Sequence, residues 1–379
     1  MNDKITSRQA VCMLILYELG SSLVTGGSMK AEQDSWIAIL LGLVMTIPLL
    51  LLYARLQALC PDGDVYDMTC TAFGKAIGAA ATLAFSIYAL HLGALVIRNF
   101  TEYIQVLSLP ETPQPVCAAC IAALALYAVW RGLETTARAA EFITPIACAV
   151  VIVLMALVAK DMRFSNLQPV LNHDASLILS DGFASLTFPF AESVLFLSIF
   201  STVREPSTSY KKSYLQGVCF AGVVLVALIA GNIAVLGVPI ARALFFPSYE
   251  TVSLVDVGNF ISRIEVLVSA NFIVFGLTKV TVCLYVGIRG IARVFGLRRI
   301  RTLAAVAITA MAVVSQLVYS STMQMFAFLS VYKLYAPVFE IALPLALLAG
   351  LSRRHAAAPA ATKETEAKPS AEGNGSASL

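Results

Sequence analysis

The sequence predicts an all-α integral membrane protein of ten transmembrane helices, built as two five-helix halves with a broken first helix in each. Three observations carry that reading. The chain of 379 residues is 59% hydrophobic and only 13% charged, whereas a soluble domain is nearer half apolar with about a quarter of its residues charged. Ten apolar stretches run along it, close to the roughly 20 residues that a hydrocarbon core of ~30 Å requires of each helix. Two of them are interrupted at corresponding places: the first by Glu18 and Gly20-Ser21-Ser22, the sixth by Phe188-Pro189-Phe190 and Glu192.

The expected spans are 10–26, 36–54, 77–107, 114–130, 141–159, 181–203, 213–239, 263–289, 302–320 and 334–352. In the second, Trp36 and Tyr53 bracket an uncharged run, as interfacial aromatics do. The third and eighth exceed the minimum length, which implies tilt or extension beyond the lipid. Residues 1–9 read as a cytoplasmic leader and 10–352 as one membrane domain. Residues 353–379 are rich in Ala, Pro, Lys, Glu, Gly and Ser, too polar to bury a core, and are expected to form a disordered cytoplasmic tail. The stretch 242–262 mixes aromatic and acidic residues and suits an outer-face helix, either a lid or an ordinary interfacial segment.

An even number of spans puts both termini on one side. With the termini in the cytoplasm, sixteen Lys and Arg of the connections fall inside, against Lys30, Lys160, Arg163, Arg242 and Lys333 outside. The positive-inside rule therefore predicts cytoplasmic termini. A cleaved signal peptide is the poorer reading of the first span, because it upsets that count and places Glu18 in an apolar core. The net charge of +3 carries no nucleic-acid signature. Cys117 and Cys120 open a membrane helix with no second pair nearby, so packing outranks metal or redox chemistry. No phosphate loop, nucleophile elbow or HExxH occurs, and His91, His173 and His355 are scattered. The sequence therefore points to neither an enzyme nor a cofactor.

Five spans per half give the halves opposite orientation, the arrangement of inverted-repeat transporters with a site at the bilayer midplane. A carboxylate at that depth costs at least ~2.5 kcal/mol and usually marks a substrate or ion site. Gly and Pro free backbone groups that must find protein, water or ligand. Helix N-termini favour a carboxylate and unwound carbonyls an ammonium, so the breaks suit a zwitterion such as an amino acid, with a sugar or nucleoside still open. The candidate ligand-binding residues are Glu18, Gly20, Ser21, Ser22, Tyr88, Phe188, Pro189, Phe190, Glu192, Ser193 and Lys279.

Two readings of Glu192 stand side by side: a ligand, proton or gating group, and a buried ion pair with Lys279. Glu18 reads either as a site carboxylate or as an acceptor for amides in a neighbouring break. Arg98 and Glu102 share a helix face at i, i+4 and, with Arg263 and Glu265, read as gate or structural ion pairs. His91, one turn from Tyr88, reads as a core histidine or a proton relay. Glu340, near Pro337, is a further buried acid with no evident partner.

Several segments together resemble the B subunit of endospore germinant receptors, the spore germination permease family of the amino acid–polyamine–organocation superfamily. They are Tyr17-Glu18-Leu19-Gly20-Ser21, Arg98-Asn99-Phe100-Thr101-Glu102 with Leu109-Pro110-Glu111-Thr112-Pro113, and Arg131-Gly132-Leu133-Glu134 with Arg138 and Glu141-Phe142. Phe188-Pro189-Phe190-Ala191-Glu192-Ser193 and Phe246-Pro247-Ser248-Tyr249-Glu250 through Gly258-Asn259-Phe260-Ile261-Ser262-Arg263-Ile264-Glu265 complete the set. Ala191 departs from the glycine expected in that break, which stiffens it. The resemblance implies a LeuT-like 5+5 inverted repeat with a pocket between spans one, three, six and eight. It also implies the spore inner membrane, a partner A subunit, a lipoprotein C subunit, and a small nutrient such as an amino acid as ligand. A proton-coupled secondary amino acid transporter is the alternative.

Overall fold

A computed structural model describes residues 4–20, 22, 30–61, 63–204, 209–254 and 264–366, with side chains as far as Arg354. Among these residues the regular structure is helical, and nine helices are long and apolar enough to cross a membrane. Helix α1 (Ser7–Leu19) is the first of the predicted set, and the rest of that span beyond Gly20 and Ser22, namely Ser21 and 23–26, lies outside the described residues. It starts at a capping box: Thr6 Oγ1 accepts from Gln9 N at 3.2 Å, and Gln9 Oε1 accepts from Thr6 N at 3.0 Å, satisfying two orphan donors.

The remaining helices follow the hydropathy pattern. They are α2 (Ser35–Leu59), a short α3 (Val65–Phe73), α4 (Lys75–Leu107), α5 (Gln114–Arg131), α6 (Leu133–Val158) and α7 (Ala175–Thr187). After α7 the chain passes Phe188-Pro189 and continues as a 3-10 segment, Phe190–Ser198. Then come α8 (Tyr210–Ala243), α9 (Pro247–Ser253), α10 (Glu265–Phe295), α11 (Ile300–Leu317), α12 (Thr322–Pro337), a π segment at Val338–Ala342 and α13 (Leu343–Glu366).

Two boundaries differ from the sequence reading. The last span begins at Thr322 rather than near 334, because α12 and α13 form one rod joined by the π segment. Its backbone stays helical to Glu366, into the stretch read as a tail. Of the expected outer-face segment at 242–262, the described part forms α9, whose Pro247, Ser248, Thr251 and Val252 are buried. The remainder, 255–263, lies outside the described residues.

Close backbone approach holds the centre together. α4 runs along α10, and small residues line their seam. A Cβ on Gly276 would lie 1.5 Å from Phe100 Cζ, and one on Gly290 would lie 2.0 Å from Ser86 Oγ. Without a hydrophobic drive between helices in lipid, such small residues let van der Waals packing hold the bundle. The apolar residues left exposed, among them Phe142, Ile152, Val306 and Leu317, face where lipid chains lie in a membrane.

Polar contacts tie the two halves. Ile5 and Val203 form a short parallel bridge, Ile5 N donating to Thr202 O at 3.1 Å and Arg204 N to Ile5 O at 2.9 Å. The start of the first helix is thereby fixed to the end of the sixth.

Candidate functional site

Both predicted breaks are present and lie side by side. α1 ends at Leu19, and Gly20 follows with φ 3° and ψ −120°, outside the helical region. A Cβ there would lie 2.7 Å from Lys279 Cδ, so glycine makes room for the lysine stem. In the sixth span the Phe188-Pro189 bond is cis. The chain re-enters as a 3-10 turn in which Glu192 is fully buried.

Glu192 forms an ion pair with Lys279 of α10, and both side chains are 0% exposed. The ammonium also faces the rings of Tyr17 at 4.9 Å and Phe188 at 5.0 Å, so two aromatic faces and a carboxylate enclose it. Glu192 Oε1 accepts from Tyr332 Oη at 2.7 Å. The backbone oxygens of this turn are held as well: Tyr53 Oη donates to Ala191 O at 3.3 Å, and Tyr17 Oη to Glu192 O at 3.4 Å.

Tyr332 leads on to a third acid. Its hydroxyl lies 2.9 Å from that of Tyr88, and Tyr88 Oη lies 2.7 Å from Glu340 Oε1. Glu340 sits in the π segment, fully buried, and its backbone oxygen accepts from Tyr53 Oη at 2.5 Å. A π turn leaves carbonyls out of the i→i−4 ladder, and Tyr53 fills one of them. Glu340 has no evident partner in the sequence because Tyr53 and Tyr88 are far away in the chain, and Tyr332, eight residues before it, reaches its carboxylate only in the fold.

Glu18, in the last turn of α1, is fully buried, and neither carboxylate oxygen has a hydrogen-bond partner among the described residues. The charges acting on it most strongly are Lys279, Glu192 and Glu340. Four ionisable groups thus meet at the breaks, three acids and one lysine. Burying such charges is tolerable only when they are paired and hydrogen-bonded.

The other candidates divide. Ser22 is buried, and its hydroxyl has no hydrogen-bond partner among the described residues. Phe190 is fully buried, and its carbonyl takes up the Ser193 hydroxyl at 2.7 Å, so Ser193 serves the turn. Ser21 and Arg263 lie outside the described residues, and the expected Arg263–Glu265 pair with them. Arg98 and Glu102 pair at 2.6 Å near the Leu107 end of α4, away from the breaks. Glu102 there also accepts from Gln114 at 2.8 Å and Thr322 at 2.6 Å, joining the starts of α5 and α12. His91 bonds the Tyr335 hydroxyl at 2.8 Å rather than a carboxylate.

Beyond Tyr332, towards the Leu107 end of α4, Leu92, Leu95, Val96, Phe188, Phe326 and Phe328 help line an apolar cavity of about 30 Å³. That is room for little more than water.

Broken helices side by side, an enclosed ion pair between them and a bundle of membrane-length helices define an integral membrane protein of the LeuT type. Solved structures agree. A nucleobase-cation-symport-1 family transporter, Mhp1, in a closed conformation with bromovinylhydantoin bound, superposes with a TM-score of 0.65 at 12% identity, covering 89% of this chain and 78% of its own. MhsT in complex with L-phenylalanine gives 0.62 at 14% identity, covering 92% and 98%. At such identities the likeness concerns the fold alone. The chain belongs to the spore germination protein family, the spore permeases, whose family profile matches residues 4–324. Spore germination protein KB of Bacillus subtilis is 31% identical over 297 residues, 77% of this chain and 79% of that protein. Family and fold are those of membrane transporters and receptors rather than enzymes.

Proposed function

We propose that this chain is the transmembrane B subunit of a spore germinant receptor, binding a small nutrient between its broken helices and passing the change to an A subunit and a lipoprotein C subunit. The observation that carries the reading is the Glu192–Lys279 pair, enclosed by Tyr17 and Phe188. An α-amino acid brings one ammonium and one carboxylate, and can replace each half of that pair without leaving a bare charge in the membrane. A ligand able to separate the pair shifts the balance between closed and open states by its differential affinity. The apolar cavity beyond Tyr332 favours an uncharged ligand side chain. The family membership and the likeness to protein KB support the spore inner membrane, and the distribution of Lys and Arg supports cytoplasmic termini.

The second reading is a proton-coupled amino acid transporter, favoured by the likeness to MhsT bound to L-phenylalanine. Purified chain in liposomes, offered labelled amino acids with and without a proton gradient, separates the two. Retention saturating near one ligand per protein and indifferent to the gradient supports the receptor. Accumulation many-fold beyond that makes the chain a transporter. No retention by liposomes that also contain the A and C subunits overturns both.

A further inference from the structure

Glu340, Tyr88, Tyr332 and Glu192 form an unbroken line of oxygens. The separations are 2.7 Å from Glu340 Oε1 to Tyr88 Oη, 2.9 Å from Tyr88 to Tyr332, and 2.7 Å from Tyr332 to Glu192 Oε1. Tyr332 Oη also lies 3.3 Å from Glu340 Oε1, and the three shorter contacts need three protons. The two phenols supply two, so with both carboxylates ionised one contact would set lone pair against lone pair. One more proton completes the line. Glu192 has Lys279 as counter-ion. Glu340 has no ion-pair partner among the described residues, and its Oε2 has no hydrogen-bond partner among them. A neutral acid leaves a carbonyl oxygen bare there rather than half a charge, which is much the smaller desolvation cost.

We infer that Glu340, Tyr88, Tyr332 and Glu192 constitute a proton relay, with the proton resting on Glu340 while Glu192 is paired with Lys279. In the resting arrangement Glu340 Oε1–H donates to Tyr88, Tyr88 to Tyr332, and Tyr332 to Glu192. A concerted shift moves each proton one place along. The O–H bonds of Glu340, Tyr88 and Tyr332 break, and new ones form on Tyr88, Tyr332 and Glu192. Glu340 ends as a carboxylate, Glu192 as an acid, and the total charge is unchanged.

The consequence falls on Lys279. Facing a neutral Glu192, its ammonium is released to another anion, so proton position and the state of the ion pair are linked. The relay runs through four elements: α4 (Tyr88), α12 (Tyr332), the π segment (Glu340) and the 3-10 turn (Glu192). Movement of Tyr332, Glu340 or Glu192 opens a gap in the line, and movement of Tyr88 leaves only the 3.3 Å approach of Tyr332 to Glu340, which couples the proton to conformation. The other titratable groups facing it are Tyr17 and Glu18 of α1, Tyr53 of α2, Lys279 and Cys283 of α10, and Tyr335 of α12. The inference is independent of the ligand's identity.

Infrared difference spectroscopy of the full chain in liposomes at neutral pH tests it directly. Subtracting the Glu340→Gln spectrum from the wild type is expected to leave the carbonyl stretch of a protonated carboxylic acid. Glu18→Gln is expected to leave that band in place. Tyr88→Phe, which removes the next oxygen of the line, is expected to shift its frequency while preserving its intensity. Absence of the band from the wild-type minus Glu340→Gln difference overturns the relay. So does a band unmoved by Tyr88→Phe, and that result decides the matter even where Glu340→Gln fails to fold.

Discussion

The hydroxyl of Tyr332 lies 2.7 Å from Glu192 Oε1 although 140 positions separate the two residues. This contact joins the broken sixth span to the last one, and no periodicity within either segment announces it. A hydrogen bond to a buried charged group contributes about 1.5–3 kcal/mol. Tyr332→Phe should therefore lower the stability of the purified protein by that order in a detergent unfolding series. A loss below about 0.5 kcal/mol would show that Glu192 finds another donor.

The Glu192–Lys279 pair invites a double-mutant cycle. Removing one member strands the other in a fully buried position, at a cost of about 3–5 kcal/mol. Glu192→Gln and Lys279→Met should each be poorly stable, and the double variant should recover most of that loss. Additive losses would mean that the charges do not stabilise one another. If the pair is also the ligand site, the double variant folds but retains no labelled amino acid, and that separates the binding role from the structural one.

Gly276 faces the Phe100 ring, and a Cβ there would lie 1.5 Å from Phe100 Cζ. That ring stacks on Phe272 at 4.0 Å, so it has little freedom to yield. Gly276→Ala should destabilise the α4–α10 seam by about 1–3 kcal/mol. Adding Phe100→Leu should restore part of the loss. Unchanged thermal stability of the single variant would contradict the packing described.

Glu102 gathers Arg98, Gln114 and Thr322. Glu102→Gln keeps the shape and removes the charge that holds Arg98. Amide exchange at the start of α12 should quicken at least several-fold, because that end loses its charged anchor. Exchange confined to wild-type rates would assign the three contacts no holding role.

Asp64, outside the spans, caps α3 by accepting from Tyr66 N and Asp67 N at 3.1 Å each, and lies 3.3 Å from Arg289. Burial lifts its carboxyl above the ordinary range, and Arg289 opposes this only in part. The folded state therefore holds that proton more tightly than the unfolded chain. The resulting stabilisation is full below the unfolded carboxyl's range and is lost as pH rises through the folded one. Asp64→Asn retains a capping oxygen and should flatten this decline in Tm. Parallel Tm curves for wild type and variant across that window would refute the assignment.

The chain by itself determined the membrane class, most of the span positions and the two breaks. Each depends on local composition: runs long and apolar enough for the bilayer, and Gly or Pro where the helical ladder is released. The motifs along 5–350 were enough to name the family. Glu18, Gly20, Pro189, Glu192 and Lys279 were legible because a charge or a helix breaker inside an apolar run is anomalous on its own terms.

Only the tertiary structure decided what those groups touch. Tyr17, Tyr53 and Tyr332 are ordinary residues in membrane helices until packing aims their hydroxyls at a carbonyl or carboxylate. Glu340 looked unpartnered for the same reason. The family resemblance implies a pocket among spans one, three, six and eight, and the groups that contact the Glu192 turn also include Tyr53 of the second and Tyr332 of the last. Arg98 and Glu102 were legible as a pair, yet their separation from the breaks follows from where α5 and α12 begin. Burial and hydrogen-bond geometry are properties of elements brought together across hundreds of residues. A charge inside an apolar run reveals that a partner is needed, and the fold alone selects which one.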